Sequence, residues 1–231
     1  MLTRNAFRFL RSKIPATRML TTASARCLSH SPKALCYPSD YETFQIATVR
    51  KEAPIFTAKG VVEGKIAPKP FTLTDFRGKY VVLLFYPLDF TFVCPTEIVA
   101  YNKRRKEFED INTQVLTMSV DSVYSHAAWS SKPKQQGGIS DDPIKIPMLS
   151  DITKEISKDY GVLIENEGIA LRGQFIIDKS GILRHSSVND LQIGRNVDET
   201  LRILHAVQYS DTHKGSVMPC GWKPGQDVIT P

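Results

Sequence analysis

The sequence predicts an α/β fold with parallel strands, on three observations. Residues 80–86 (YVVLLFY) and 114–120 (QVLTMSV) are apolar runs of strand length, as in strands covered on both faces. Between them, residues 95–112 place Ile98, Tyr101, Phe108 and Ile111 at helical spacing, with the basic residues 103–106 turned away. Strand, helix and strand in that order form a βαβ unit, whose crossover makes the two strands parallel.

The remaining elements follow in chain order. Residues 49–56 and 60–71 hold short apolar pieces broken by Pro and Gly, which predict an edge strand and a hairpin. The central strand spans 79–88. The first long helix, 95–112, opens at Cys94-Pro95, since proline is tolerated where no N–H partner is needed. A second buried strand at 114–120 leads to a helix at 122–132 with Val123 and Ala127 inward. Residues 132–147 are polar and rich in Gly and Pro and read as a surface loop. A strand resumes at 146–149, and a short helix at 153–160 is stopped by Gly161. Residues 171–178 and 182–188 flank Asp178-Lys179-Ser180-Gly181, which reads as a β-hairpin. An amphipathic helix at 196–208 turns Val197, Leu201, Leu204 and Val207 inward. From residue 211 onward Gly215, Pro219, Gly221, Pro224 and Gly225 predict an extended, irregular tail that leaves Cys220 within reach of solvent. The order matches a thioredoxin-like fold with an N-terminal extension. The chain divides into 1–39, a domain at 43–210, and a tail at 211–231.

The chain has 231 residues, 42% hydrophobic and 23% charged, enough for one substantial core. Its formal charge of +6 is misleading about partners. Arg4, Arg8, Arg11, Lys13, Arg18, Arg26 and Lys33 all precede Asp40, the first acidic residue. Without these seven, 23 basic residues face 24 acidic ones, a net of −1, so the domain has no charge for nucleic acid. The leader is Arg-rich, acid-free and scattered with Ser and Thr. With Phe7, Leu10 and Ile14 on one helical face, it reads as a mitochondrial transit peptide, removed on import to the matrix. A disordered basic arm is the other reading of the same composition. No stretch approaches the roughly 20 apolar residues of a membrane span.

Of four cysteines, Cys27 and Cys36 fall in or near the leader, leaving Cys94 and Cys220. There is no Cys-x-x-Cys pair and no Cys/His cluster at zinc spacing, and His126, His185, His205 and His213 are dispersed. Two thiols in an intracellular chain read as catalytic or redox-active more readily than as a structural framework. Cys94 stands at a helix N-terminus, where unpaired N–H groups and the helix dipole favour the thiolate. A buried packing cysteine is the alternative that local context leaves open.

Pro87, Thr91 and Cys94 fit the Pro-x-x-x-Thr-x-x-Cys signature of peroxiredoxins. The stretch FYPLDFTFVCPTE resembles the form found in their typical two-cysteine class. The resemblance extends over about residues 43–226 and includes SVDSVYSHAAW, GIALRGQFIID, GILRHSSVND, GRNVDETLR and GWKPG. It implies that Cys94 attacks the peroxide, that Thr91 and Arg172 stabilise the departing oxygen, and that Pro87 shields the pocket. Glu97 and Arg195 would orient that cluster. Without the motif, Arg172 would read as a surface ion-pair residue. The resemblance further implies that Cys220, just before Trp222-Lys223-Pro224-Gly225, resolves the Cys94 sulfenic acid as an intersubunit disulfide. An external dithiol would reduce it, with no metal, haem or flavin, in a dimer that assembles into a ring, usually a decamer. The substrates implied are hydrogen peroxide and small hydroperoxides.

Two details depart from the common pattern. Val217-Met218-Pro219-Cys220 replaces a second Val-Cys-Pro and, with ATVRKEAP and PCGWKPGQ, resembles the mitochondrial tryparedoxin peroxidases of kinetoplastids. That points to tryparedoxin as reductant, with thioredoxin as the general alternative. Gly137-Gly138-Ile139-Ser140 stands where overoxidation-sensitive relatives have Gly-Gly-Leu-Gly, and no Tyr-Phe helix precedes Pro231, so resistance to overoxidation is expected. Lys103-Arg104-Arg105-Lys106 reads as a solvated helix face, Trp129 as a core residue and Trp222 as docking the tail on a partner subunit. A ring-forming holdase chaperone is the alternative function. A thioredoxin-type reductase is disfavoured by the missing Cys-x-x-Cys.

Overall fold

The computed structural model describes residues 46–231. The expected transit peptide at 1–39, Cys27, Cys36 and the domain start at 43 lie outside the described residues.

In chain order the elements are β1 (Thr57–Val62), β2 (Lys65–Ile66), β3 (Phe71–Thr72), β4 (Tyr80–Phe85), α1 (Val93–Lys103), α2 (Arg105–Asp110) and β5 (Thr113–Ser119). They continue with α3 (Val123–Ser130), β6 (Met148–Ser150), α4 (Glu155–Asp159), β7 (Leu163–Ile164), β8 (Ile169–Ala170), β9 (Arg172–Ile177), β10 (Leu183–Asn189) and α5 (Val197–Thr212). The main sheet runs β10-β9-β4-β5-β6-β1-β2, with β3 also on β1, and β7 pairs with β8 separately. β4, β5 and β6 are parallel, as the βαβ pattern requires, and β1, β9 and β10 pair antiparallel.

β4 is buried at all six positions, and its alternation builds two cores. Tyr80, Val82 and Leu84 pack with Ile98, Tyr101 and Phe108 of α1 and α2 and with Leu201, Leu204 and Val207 of α5. Val81, Leu83 and Phe85 pack on the opposite face with Phe56, Tyr160, Val162 and Phe175. Fully burying each such side chain is worth roughly 1.5–3 kcal/mol, which makes a continuous apolar run the surest sign of a central strand.

Several expectations are corrected. The edge strand expected at 49–56 is irregular chain, touching the sheet through the Glu52–Ile182 bridge, and β1 begins only at Thr57. The single helix 95–112 breaks at Arg104, whose φ −97°, ψ 10° ends α1 and starts α2. In that conformation Arg104 pairs with Glu107 and with Asp198. α3 turns His126, Trp129 and Ser130 inward with Val123, while Ala127 is half-buried. The loop at 132–147 is anchored by buried Ile139, Ile144 and Ile146. Gly138 is required there, because a Cβ would lie 1.7 Å from Lys132 O. The tail is irregular, as expected, and closes on itself where Val217 pairs with Ile229. Trp222 docks on α5 of its own chain, its ring 5.2 Å from Tyr209.

Candidate active site

The loop between β4 and α1 is fastened before it reaches the cysteine. Pro87 is buried and supplies no N–H at the strand's end. Asp89 then turns inward. Its carboxylate accepts from Tyr86 OH at 2.9 Å and Ser125 Oγ at 2.8 Å, and lies 2.8 Å from His126 Nδ1. Its backbone N–H donates to Asp121 Oδ2 at 2.9 Å, and His126 Nε2 lies 3.1 Å from Leu149 O. Burial, and then the Asp89 charge, pushes both the Tyr86 hydroxyl and the Asp121 carboxyl up from their ordinary values. These anchors hold Phe90 in the left-handed region at φ +56°, a strained setting for a bulky residue, with its ring 5.6 Å from Trp129. Thr91 Oγ1 donates to Leu88 O at 2.9 Å, which commits its proton and leaves its oxygen as an acceptor.

Cys94 follows in the first turn of α1, with no side-chain cap at Phe92, no acidic residue in that turn and no exposed surface of its own. Arg172, the first residue of β9, donates from Nη1 to Cys94 Sγ at 3.4 Å and to Glu97 Oε2 at 2.8 Å. Its Nε donates to Leu191 O at 2.7 Å, which fixes the guanidinium plane. Glu97 lies one turn beyond Cys94 on α1. Arg195 grips it from three sides: backbone N and Nε donate to Oε1 at 2.7 and 2.8 Å, and Nη2 to Oε2 at 3.0 Å. Arg195 Nη1 reaches Phe85 O and Gly173 O at 2.8 and 2.6 Å, tying the cluster to β4 and β9. Burial alone would raise the Glu97 carboxyl, but Arg195, by charge and hydrogen bonds, and then Arg172 bring it below the usual carboxylate range.

The charges decide what this cluster can hold. Two buried guanidiniums face one buried carboxylate, with Arg172 only 3% exposed. One positive charge is left over beside Sγ, so an anion on or near the sulfur completes the balance. Behind Glu97, Tyr101 OH, Thr200 Oγ1 and Gln174 Oε1 form a buried triangle at 2.6–3.1 Å that pins α1, α5 and β9 together. Among the described residues no group of three or more His, Cys, Asp or Glu is placed to hold a metal ion, and no helix is long and apolar enough to cross a membrane.

The AhpC/TSA family profile matches residues 49–186, and the C-terminal domain of 1-Cys peroxiredoxin matches 206–231. The chain belongs to the peroxiredoxin family. Peroxiredoxins are thiol-dependent peroxidases that work without a prosthetic group, by cysteine redox chemistry and an external reductant. Peroxiredoxin-4 from Homo sapiens is 55% identical over 80% of this chain, which spans 66% of that protein's length. Peroxiredoxin-2 from Mus musculus is likewise 55% identical over 80% of this chain and is covered to 91%. The structure of the mitochondrial 2-cys peroxiredoxin from Plasmodium falciparum superposes with a TM-score of 0.67 at 50% identity, covering 74% of this chain and 100% of the other.

Of the residues expected from sequence, the structure joins Cys94, Arg172, Glu97 and Arg195 in one hydrogen-bonded cluster, with Pro87 and Thr91 in the loop before it. Cys220 is apart from them, exposed on the tail, and both thiols are free. Sequence reasoning missed the Asp89–His126–Tyr86 buttress and the Tyr101–Gln174–Thr200 triangle. The available signal was polar residues inside apolar runs, Asp89 in FYPLDF and Gln174 in GQFII.

Proposed function

We propose that this peroxiredoxin reduces hydrogen peroxide and small organic hydroperoxides by a two-cysteine cycle. The Cys94 thiolate attacks one peroxide oxygen. The S–O bond forms as the O–O bond breaks, and the other oxygen leaves with its electron pair and is protonated to water or alcohol. Arg172 holds the peroxide and the charge growing on the departing oxygen, Thr91 Oγ1 accepts a hydrogen bond from the peroxide O–H, and Pro87 keeps water out. Glu97 and Arg195 keep Arg172 aimed at the sulfur. The Cys220 thiolate of a second subunit then attacks the Cys94 sulfenic sulfur; S–S forms, S–O breaks, and hydroxide leaves as water after taking up a proton. An external dithiol returns both thiols to the reduced state.

The observation that carries this reading is Arg172 Nη1 bridging Cys94 Sγ and Glu97 in a buried cluster with one unbalanced positive charge. Association of subunits is supported by β10, the outermost strand of the sheet, with Val188 exposed along it beside the Arg172 cluster. Apolar surface at Phe92, 94% exposed, and Tyr124, 75% exposed, suits further contact between dimers in a ring, a decamer. We assign tryparedoxin as reductant on the Pro219-Cys220 order, with thioredoxin as the alternative. We place the protein in the mitochondrial matrix on the composition of residues 1–39. The Plasmodium falciparum neighbour is described as mitochondrial, which agrees.

Single turnover tests the cycle. Cys220→Ser should consume one hydrogen peroxide per chain and stop at the sulfenic acid, and Cys94→Ser should consume none. Multiple turnover with tryparedoxin or thioredoxin identifies the reductant. Peroxide consumption by Cys94→Ser would remove the nucleophile from this account.

A further inference from the structure

Residues 217–231 are fastened to the rest of the described chain at one place. Val217 and Ile229 exchange backbone bonds at 2.8 and 2.9 Å and close the tail into a loop. Inside it, Trp222 N donates to Pro219 O at 3.1 Å, a turn that places Gly221 at φ +72° and exposes Cys220. The Trp222 side chain is buried against Tyr209 of α5, and its Nε1 donates to Gln226 O at 3.1 Å. Two turns earlier on α5, Arg202 donates from Nη1 to Trp222 O at 3.1 Å. Glu199 holds the other edge of that guanidinium through Nε and Nη2 at 2.7 and 2.8 Å. Among the described residues, the Arg202–Trp222 bond is the one hydrogen bond that crosses from 217–231 to the body.

A disulfide requires its sulfurs about 2.05 Å apart. Neither thiol is placed for it: Cys94 has no exposed surface, and the Cys220 turn is seated on α5 through Trp222. We propose that Arg202 is a positioning residue for the resolving step, whose bond to Trp222 O keeps the Cys220 turn seated and so limits how fast the disulfide forms. This rests on the resolving role proposed above for Cys220. Glu199 makes Arg202 suited to the part, because it fixes the planar group and aims the remaining N–H at the carbonyl. A single crossing bond also lets the turn leave its seat in one event.

Arg202→Gln and Arg202→Lys test this in the full-length protein. In the reduced state, hydrogen exchange should quicken at 217–231 in Arg202→Gln and stay unchanged in β4 and β5. After one equivalent of hydrogen peroxide, Arg202→Gln should form sulfenic acid at the parent rate but the disulfide roughly tenfold to a hundredfold faster, the worth of one charge-assisted hydrogen bond. Arg202→Lys should fall between the two. Parent-like exchange or disulfide formation at an unchanged rate overturns the proposal. Slower disulfide formation also overturns it, since the guanidinium would then serve Cys220 by its charge. If Cys220→Ser still links its subunits through a disulfide after peroxide, the resolving role has failed, and exchange in the reduced protein alone decides whether Arg202 seats the turn.

Discussion

At the scale of single residues, Glu97 is the keystone of the site although it touches no substrate. It takes four donor contacts, two pairs of charges depend on it, and it separates Arg172 from Arg195. Its carboxyl is lower in the folded chain than in the unfolded one. The resulting stabilisation is present above the unfolded value, roughly pH 4.3, and is lost as pH falls through the lower folded value. Glu97→Gln leaves two buried guanidiniums without their anion and should cost about 3–5 kcal/mol at neutral pH. It should also flatten the loss of stability below about pH 4. Urea unfolding across a pH series measures both, and an acid limb identical to the parent's would exclude the role given to Glu97. The motif residues Pro87, Thr91 and Cys94 were legible because they are adjacent in the chain. The Asp89–His126 contact was not, because 37 positions separate partners that meet only once α3 lies under the loop.

Among the elements, α5 connects the two halves of the chemistry. Arg195 stands just before it, Arg202 on it, and its N-terminus is capped by Asn196, whose side chain accepts from Asp198 N at 2.8 Å and Glu199 N at 3.3 Å. Asn196→Ala should cost about 1 kcal/mol in chemical denaturation, up to ~2. Replacement by Gly should cost only a few tenths. Equal losses for Ala and Gly would argue against a capping role. The helix itself was legible, since Val197, Leu201, Leu204 and Val207 keep the inward period. So were β4 and β5, where burial on both faces forces continuous apolar sequence. The break at Arg104 was not, because the apolar spacing of Phe108 and Ile111 continues across it and only backbone angles mark the change. The isoleucines at 139, 144 and 146 were lost in a stretch whose average composition is polar, although each is buried.

At the scale of the whole molecule, one chain holds a finished pocket around Cys94 and an unfinished cycle. Cys94 is sealed among α1, β9 and the Arg172–Glu97–Arg195 cluster, and Cys220 waits outside on a seated loop. A second subunit meeting β10 supplies the missing thiol in this account. The direct test is a non-reducing gel of the mature protein after one equivalent of hydrogen peroxide, run beside Cys94→Ser and Cys220→Ser. A disulfide-linked dimer in the parent, absent from both variants, is the predicted result. A parent chain that remains monomeric on the gel would contradict the intersubunit cycle and leave Cys94 to work without Cys220.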